Sequence, residues 1–244
     1  MKNIKLKLEY DGTNYMGWQK QPIGITVQGT VEEAIYKLTK EHVEVVGCSR
    51  TDSKVHAKAY VCNFKTNSKI PTVKFKNALN FHLPEDIAVI ECDEVSEKFH
   101  ARYDSIGKMY CYTIHNGVSR SPLNRNYSYY YKGNLDVEAM KKAAEFLKGT
   151  HDFAAFKNVG SSVKTSTRTI TDLKIENHDN RIEIYIAADG FLYNMARIIV
   201  GTLLDVGSGK IGSNEMKNII ECKDRSKAGP TSPAQGLCLI EVYY

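Results

Sequence analysis

Hydrophobic and polar residues alternate from the start of the chain. Ile4, Leu6, Leu8 and Tyr10 fall on one face and Lys5, Lys7 and Glu9 on the other, the period of a half-buried strand. A helix is predicted over 27–41, with Thr30 and Glu33 spaced as a capping box. The runs "HVEVVGC" (42–48) and "KAYVCNF" (58–64) alternate again and predict strands near 43–48 and 58–65. A helix near 73–82, entered after Pro71, and a strand over 87–95 follow. From 106 the order returns: strand 106–115, helix 135–148, strands 167–176 and 181–188, helix 191–206 and a last strand 236–243, with a short extra helix at 213–222.

Twice, then, the order is β-α-β-β-α-β, that of the split βαβ or ferredoxin-like unit. The expected fold class is α+β, with two ferredoxin-like halves, 1–104 and 105–244, forming one extended and mostly antiparallel sheet with helices on one face. Element order repeats between the halves, whereas sequence identity between them is not visible. An open sheet face flanked by basic loops is a platform for RNA.

Composition narrows the class. With 244 residues, 42% of them hydrophobic, the chain has enough apolar material for one large core or two modest ones. No apolar run approaches the roughly 18 residues a membrane span needs. The start, "MKNIKLKLEYDG", alternates charge with hydrophobe instead of forming a signal-peptide core, so a cytoplasmic protein is expected. Six cysteines (48, 62, 92, 111, 222 and 238) lie far apart with no C-x-x-C, which predicts reduced thiols acting as small buried hydrophobes. The 33 Lys and Arg against 28 Asp and Glu leave +5, a mild excess that suits a polyanionic partner. The basic residues gather in connections: Lys20; Arg50 with Lys54 and Lys58; Arg102; Arg120 with Arg125; and Lys157 through Lys164 to Arg168. Tyrosine outnumbers phenylalanine 15 to 8, and "RNYSYYY" places four tyrosines beside Arg125, a pairing of cations for phosphate with rings for stacking.

Several chemistries are excluded. "GSGKIG" at 207–212 lacks the first glycine and the Ser/Thr of a phosphate-binding loop and follows a helix, so it predicts a helix-ending turn with Gly207 as the cap. The seven histidines show no metal-ligand spacing, and no cofactor motif is present, so neither metal nor cofactor is expected. A glycosidase needs two carboxylates about the scissile bond, and the connection "CSRTDSKVHA" (48–57) offers only Asp52. One carboxylate suffices where the leaving group departs as a stabilised anion, as a pyrimidine base does. Arg50, two residues earlier, would keep Asp52 ionised or grip a phosphate. His56 is read as a structural hydrogen-bonding residue.

"RTDSKVHA" (50–57) resembles the R-T-D-x-G-V-H-A signature of the TruA-type tRNA pseudouridine synthases. The likeness extends in order through "YDGTNYMGWQKQ", "FHARYDSIGKMYCYTI", "GTHDFAAF", "TRTI", "FLYNMARIIVGTLLDVG" and "AGPTSPAQGLCLIEVYY", which is essentially the whole chain. It implies isomerisation of uridine to pseudouridine at positions 38–40 in the anticodon stem-loop of tRNA, by a homodimer without cofactor. On this sequence it implies Asp52 as nucleophile, Tyr110 as the ring against the target base, and Arg197 as the partner of Asp52 across a cleft between the halves. It further implies Arg50 as an aid to base flipping or a phosphate contact, and Leu237 as the apolar side of the pocket. Val55, Tyr110 and Leu237 are expected to keep water from the detached base.

One position departs from the family pattern: Lys54 stands where glycine is usual, preceded by Ser53 where the family has a small residue. Either the turn is reshaped or Lys54 adds a phosphate contact. Two other readings stand beside this one at the level of sequence, a non-catalytic RNA-binding protein on the same double platform and a uracil-removing glycosylase. The latter would lack a second acid near Asp52 to activate water.

Overall fold

The computed structural model describes residues 1–160 and 165–244. The chain forms two compact units, one of residues 1–106 with 238–244 and one of residues 107–237.

The first unit runs β1 (Lys2–Tyr10), α1 (Val27–Thr39), β2 (Val46–Gly47), β3 (His56–Thr66), α2 (Thr72–His82) and β4 (Ile87–Val95). Its strand order is β4-β1-β3 with β2 on β3, every pair antiparallel, which is the 4-1-3-2 order of a ferredoxin-like unit. The predicted alternation holds, since Ile4, Leu6 and Leu8 are fully buried and Tyr10 nearly so. Opposite them, Phe64 of β3 meets Phe75 of α2 at 6.2 Å between ring centroids. α1 buries Val27, Val31, Ala34 and Ile35, the stripe of an amphipathic helix.

The second unit runs β5 (Gly107–His115), β6 (Tyr129–Tyr130), α3 (Val137–Glu145), β7 (Gly149–Asp152), β8 (Thr167–His178), β9 (Arg181–Ala188), α4 (Met195–Gly207) and α5 (Glu215–Cys222). Strands β5-β9-β8-β7 follow one another antiparallel, and β6 lies parallel on β5. α4 is buried along almost its whole length, and α3 packs on it and on β8. The last strand, β10 (Leu237–Tyr243), closes the second run of elements in chain order, yet it pairs in parallel with β3 of the first unit at Cys238↔His56 and Leu239↔Ala57. Both units are thus mixed α and β with mostly antiparallel strands. No helix among the described residues is long and apolar enough to cross a membrane.

Several local expectations are corrected. α1 is capped by Thr26, whose side chain accepts from the Gly29 amide, while Thr30 lies inside the helix with its hydroxyl on the Thr26 carbonyl, so the Thr30–Glu33 box does not form. The strand expected near 43–48 shrinks to Val46–Gly47, because α1 side chains take the backbone groups of Val45: Glu32 accepts its N–H at 3.1 Å and Gln28 donates to its carbonyl at 3.1 Å. Gly207 ends α4 from inside it; Ser208 caps the helix and Gly209 carries the left-handed φ of 77°. None of the six cysteines forms a disulfide, but Cys222 is exposed and Cys92 and Cys238 are only partly covered, so three of the six are buried.

Candidate active site

Asp52 lies half-buried in the connection between β2 and β3, and a second segment, residues 10–18, fastens that connection at several points. The Tyr10 hydroxyl shares a hydrogen bond with Thr51 Oγ1 at 2.8 Å, and the Trp18 amide donates to the Thr51 carbonyl at 3.1 Å. The Tyr15 carbonyl accepts from Ser53 Oγ at 3.1 Å and from the Lys54 amide at 3.3 Å. Within the turn, the Val55 amide donates to the Asp52 carbonyl at 3.2 Å. These bonds, made on both sides of Asp52, hold its turn without using its carboxylate.

Glycines make the approach possible. A Cβ on Gly12 would fall 2.0 Å from the Val55 carbonyl oxygen, and one on Gly17 would fall 2.4 Å from that of Thr51. Gly17 also has a φ of 90°, which disfavours any side chain. Beneath the clamp, Trp18 stacks on Tyr60 at 4.0 Å between centroids, and the buried Tyr60 hydroxyl donates to the Ser49 carbonyl. Tyr15 hydrogen-bonds Asp86, and burial with that carboxylate raises its phenol far above the usual range, so it stays a neutral donor. The sequence block 10–21 carried the resemblance without a role for any of these residues; Gly12 and Gly17 were its only local signal.

His56, read from sequence as a hydrogen-bonding residue, sits at the start of β3. It is buried, and its Nδ1 accepts from the Gly12 amide at 3.0 Å while an Asp11 carboxylate oxygen lies 3.1 Å away. One nitrogen cannot accept from the first and donate to the second at once. The Gly12 bond secures the 11–14 turn to the start of β3.

Lys54 has φ 66°, the left-handed conformation that glycine would adopt without strain. The backbone here thus adopts a conformation that glycine would enter at no steric cost, and the Lys54 side chain is exposed. Arg50 and Lys58 are exposed too. Other members of the predicted basic set are committed elsewhere: Lys20 pairs with Glu32 at 3.0 Å, Arg125 donates to the Pro122 carbonyl at 2.7 Å, and Arg168 donates to the carbonyls of Thr165 and Thr167. Lys164 lies outside the described residues.

Tyr110, Arg197 and Leu237 belong to the second unit. Tyr110 sits on β5 opposite Ile186 of β9, 6% exposed, with its ring edge-to-face against Phe191 at 4.9 Å and 82°. Phe191 is a site neighbour that sequence reasoning missed. Arg197, in the first turn of α4, donates from Nε to the Ser232 carbonyl at 2.7 Å and from Nη1 to Asn194 Oδ1 at 3.0 Å. It is therefore a constrained guanidinium, not a solvated helix cation. Leu237 is buried at the start of β10.

The loop that holds Arg197 is itself tied down. Arg225 donates to Asn158 Oδ1 at 3.1 Å and to the Gly229 carbonyl at 2.9 Å, and Tyr112 donates to the Pro233 carbonyl at 2.8 Å. Nearby, Asp152 accepts from Ser166 and pairs with Lys223 at 3.0 Å; the Ser166 bond first, then Lys223, hold its carboxyl below the ordinary aspartate value of 3.8. A carboxyl depressed by folding stabilises above its unfolded pKa and loses that contribution as pH falls through the folded one. Asp152→Asn is thus expected to lower stability by about 1 kcal/mol or less at pH 7, the pair being largely exposed. Melting curves of variant and wild type should begin to converge as pH falls below about 4 and go on converging toward the lower folded value; a gap that does not narrow at all on acidification would contradict the assignment.

Among the described residues, Glu176, His178 and Glu183 could together offer metal ligands. Lys174 and Arg181 already pair with the two carboxylates, so this exposed hairpin cluster is electrostatically satisfied as it stands.

Comparison with known proteins shows the family of the chain. A family model described as tRNA pseudouridine synthase matches residues 8–104 and 143–244. The chain is 60% identical over 244 residues to a tRNA pseudouridine synthase A 2 of Clostridium perfringens, covering 100% of both chains. It is 54% identical over 244 residues to the tRNA pseudouridine synthase A of Clostridium acetobutylicum and 54% identical to that of Acetivibrio thermocellus, again with 100% coverage of both chains. Among solved structures, a Cbf5-Nop10-Gar1 complex aligns with a TM-score of 0.42 and 12% identity, over 97% of this chain and 49% of that one, a likeness too slight to bear on the chemistry. These relatives displace the two rival readings, binding without catalysis and uracil removal. The chain belongs to the TruA-type tRNA pseudouridine synthase family and is an isomerase that forms pseudouridine in tRNA.

Proposed function

We propose that this isomerase acts on uridines 38–40 of the anticodon stem-loop, as a cytoplasmic homodimer without cofactor, with Asp52 as its nucleophile. The observation that carries the reading is the clamp on the Asp52 turn: hydrogen bonds at Thr51, Ser53, Lys54 and Val55 hold the backbone that presents the Asp52 carboxylate in a fixed place. Positional control of that kind suits a nucleophile and is wasted on a solvated surface acid.

The target nucleotide leaves the stem stack, and side chains hold the flipped base and the vacated position. Tyr110, braced edge-on by Phe191, offers a ring face for the uracil. Arg50, exposed beside the turn, takes the flipping or phosphate role. The ionised Asp52 carboxylate then promotes cleavage of the N1–C1′ bond, either by adding to C1′ or by drawing off the 2′ proton to give a glycal. The bonding pair leaves with uracil as a stabilised anion and the base turns; C5 then bonds to C1′ as the Asp52–C1′ bond breaks or, on the glycal route, as Asp52 returns the proton to C2′, and finally the C5 proton is lost while N1 gains one. Arg197 is the cation that turnover requires, and buried Leu237 supplies apolar cover. The test is incubation with tRNA transcripts followed by pseudouridine mapping: Asp52-dependent signal at 38–40 is expected, and signal confined to other positions would overturn the site assignment.

Lys54 takes a phosphate contact in this reading. Lys54→Gly relieves a left-handed side chain worth about 1–2 kcal/mol and gives back part of that in unfolded-chain freedom, so stability should hold or rise slightly. tRNA affinity should fall about equally for all substrates, and the slope of log affinity against log salt should drop by roughly one unit or less. Salt titrations of wild type and variant check this; an unchanged slope would make Lys54 a solvated residue.

A further inference from the structure

We infer that Asn194 is a positioning residue for Arg197, and that its strained backbone exists to serve that role. The inference deepens the reading of Arg197 as a cation required for turnover and rests on it.

Asn194 is the N-cap of α4, with φ 61° and ψ 11°, left-handed for a residue that is not glycine. An N-cap residue normally has extended backbone and turns its side-chain oxygen back onto the amides of the first turn. Thr26 of α1 does so, as does Asp136 of α3. Asn194 makes no side-chain cap bond; its Oδ1 accepts from Arg197 Nη1 at 3.0 Å instead. Only its carbonyl serves the helix, accepting the Ile198 amide at 3.0 Å. The position therefore forgoes a cap and accepts an unfavourable backbone, costs that persist where the surroundings impose them, which is commonly at functional sites.

The geometry received in exchange is specific. Arg197 Nε is held by the Ser232 carbonyl at 2.7 Å, from a loop 35 residues further along the chain, and Nη1 by Asn194 from three residues back. Two acceptors on different guanidinium nitrogens constrain both the position and the rotation of a planar group. The Tyr193 carbonyl, just before, accepts the Asn158 amide at 3.2 Å, and Asn158 Oδ1 in turn accepts from Arg225. The entry to α4 and the 228–232 loop thereby share one hydrogen-bond network about Arg197.

Glycine separates the backbone from the side chain. Asn194→Gly keeps the left-handed conformation at less strain and removes only the acceptor; Asn194→Ala removes the acceptor and keeps the strain. Loss of a charge-assisted hydrogen bond that aims a required cation should lower the single-turnover rate at saturating tRNA about tenfold to a hundredfold, with tRNA affinity within about twofold. Both variants should lose rate equally, although Asn194→Gly melts at or above wild type and Asn194→Ala below it. Added to Arg197→Ala, Asn194→Gly should cost nothing further. A wild-type rate in Asn194→Gly, a loss confined to affinity, or an undiminished extra loss on the Arg197→Ala background would each overturn the inference. A wild-type rate in Arg197→Ala itself would instead remove the reading on which the inference rests, so the two failures are distinguishable.

Discussion

Asp52→Asn is expected to abolish pseudouridine formation, by at least roughly a thousandfold, while tRNA binding stays within a few-fold of wild type. The amide has the shape of the carboxylate but neither its negative charge nor its basicity, so it can neither add to C1′ nor accept a proton from the sugar. The turn should survive, because Thr51, Ser53, Lys54 and Val55 secure it through bonds that do not involve the Asp52 side chain. Affinity should survive because phosphate contacts dominate such an interface, and one added amide changes that sum little. Single-turnover pseudouridine assays, with tRNA binding measured on the same preparation and a melting curve to confirm folding, read all three. Turnover within tenfold of wild type would remove Asp52 from the chemistry and, with it, the proposed role of the clamp.

Much of the fold was legible because its signals are local. The period-2 run of β1 and the 3.6-period stripe of α1 survive intact, as both lie against a continuous core. What was lost depended on distant partners. The alternation in 42–48 reads as a strand, yet Glu32 and Gln28, more than ten residues earlier, take the backbone of Val45 and leave a two-residue strand. β6 and β7, with two and four residues, are too short to show a period at all. α4 was expected from 191 but starts at Met195, since the left-handed Asn194 cannot continue a helix backward.

The site divides in the same way. Asp52 was visible as a lone acid in a strand connection within a signature block, and its chain neighbours fixed its turn. Its clamp was not visible, because the bonds from Tyr10, Tyr15 and Trp18 span 33 or more residues. Lys54 shows a third case. Its backbone is left-handed although the side chain is lysine, which no local signal in the sequence announces. Surrounding contacts at Tyr15 and Asp52 outweigh the one or two kcal/mol that lysine costs there.

Gly201→Ala separates local propensity from packing by sign. In an exposed helix interior, the change would stabilise by about 1 kcal/mol, since alanine is the better helix former. Here a Cβ on Gly201 would lie 1.8 Å from the Pro230 carbonyl oxygen and 2.9 Å from its carbon, both backbone atoms that no rotamer can move aside. From the other side, a Cβ on Gly229 would lie 2.6 Å from the Gly201 carbonyl, so helix and loop meet backbone to backbone. Thr202 locks the contact by accepting the Gly229 amide at 2.9 Å while donating to the Ile198 carbonyl at 2.8 Å. The alanine must push the 228–232 loop outward, which strains the Thr202 and Arg225 bonds and opens a gap in a buried helix face. An overpacking cost of about 2–4 kcal/mol follows, equivalent to a fall of roughly 5–15 °C in melting temperature for a chain of this size. The loop also carries Ser232, whose carbonyl holds Arg197 and whose amide donates to the Arg197 carbonyl at 3.1 Å. Activity at a temperature where the variant is still folded should therefore fall as well. Calorimetry with single-turnover assays at 25 °C decides the matter, and a melting temperature at or above wild type would mean that helix propensity, not the close approach to Pro230, governs this position.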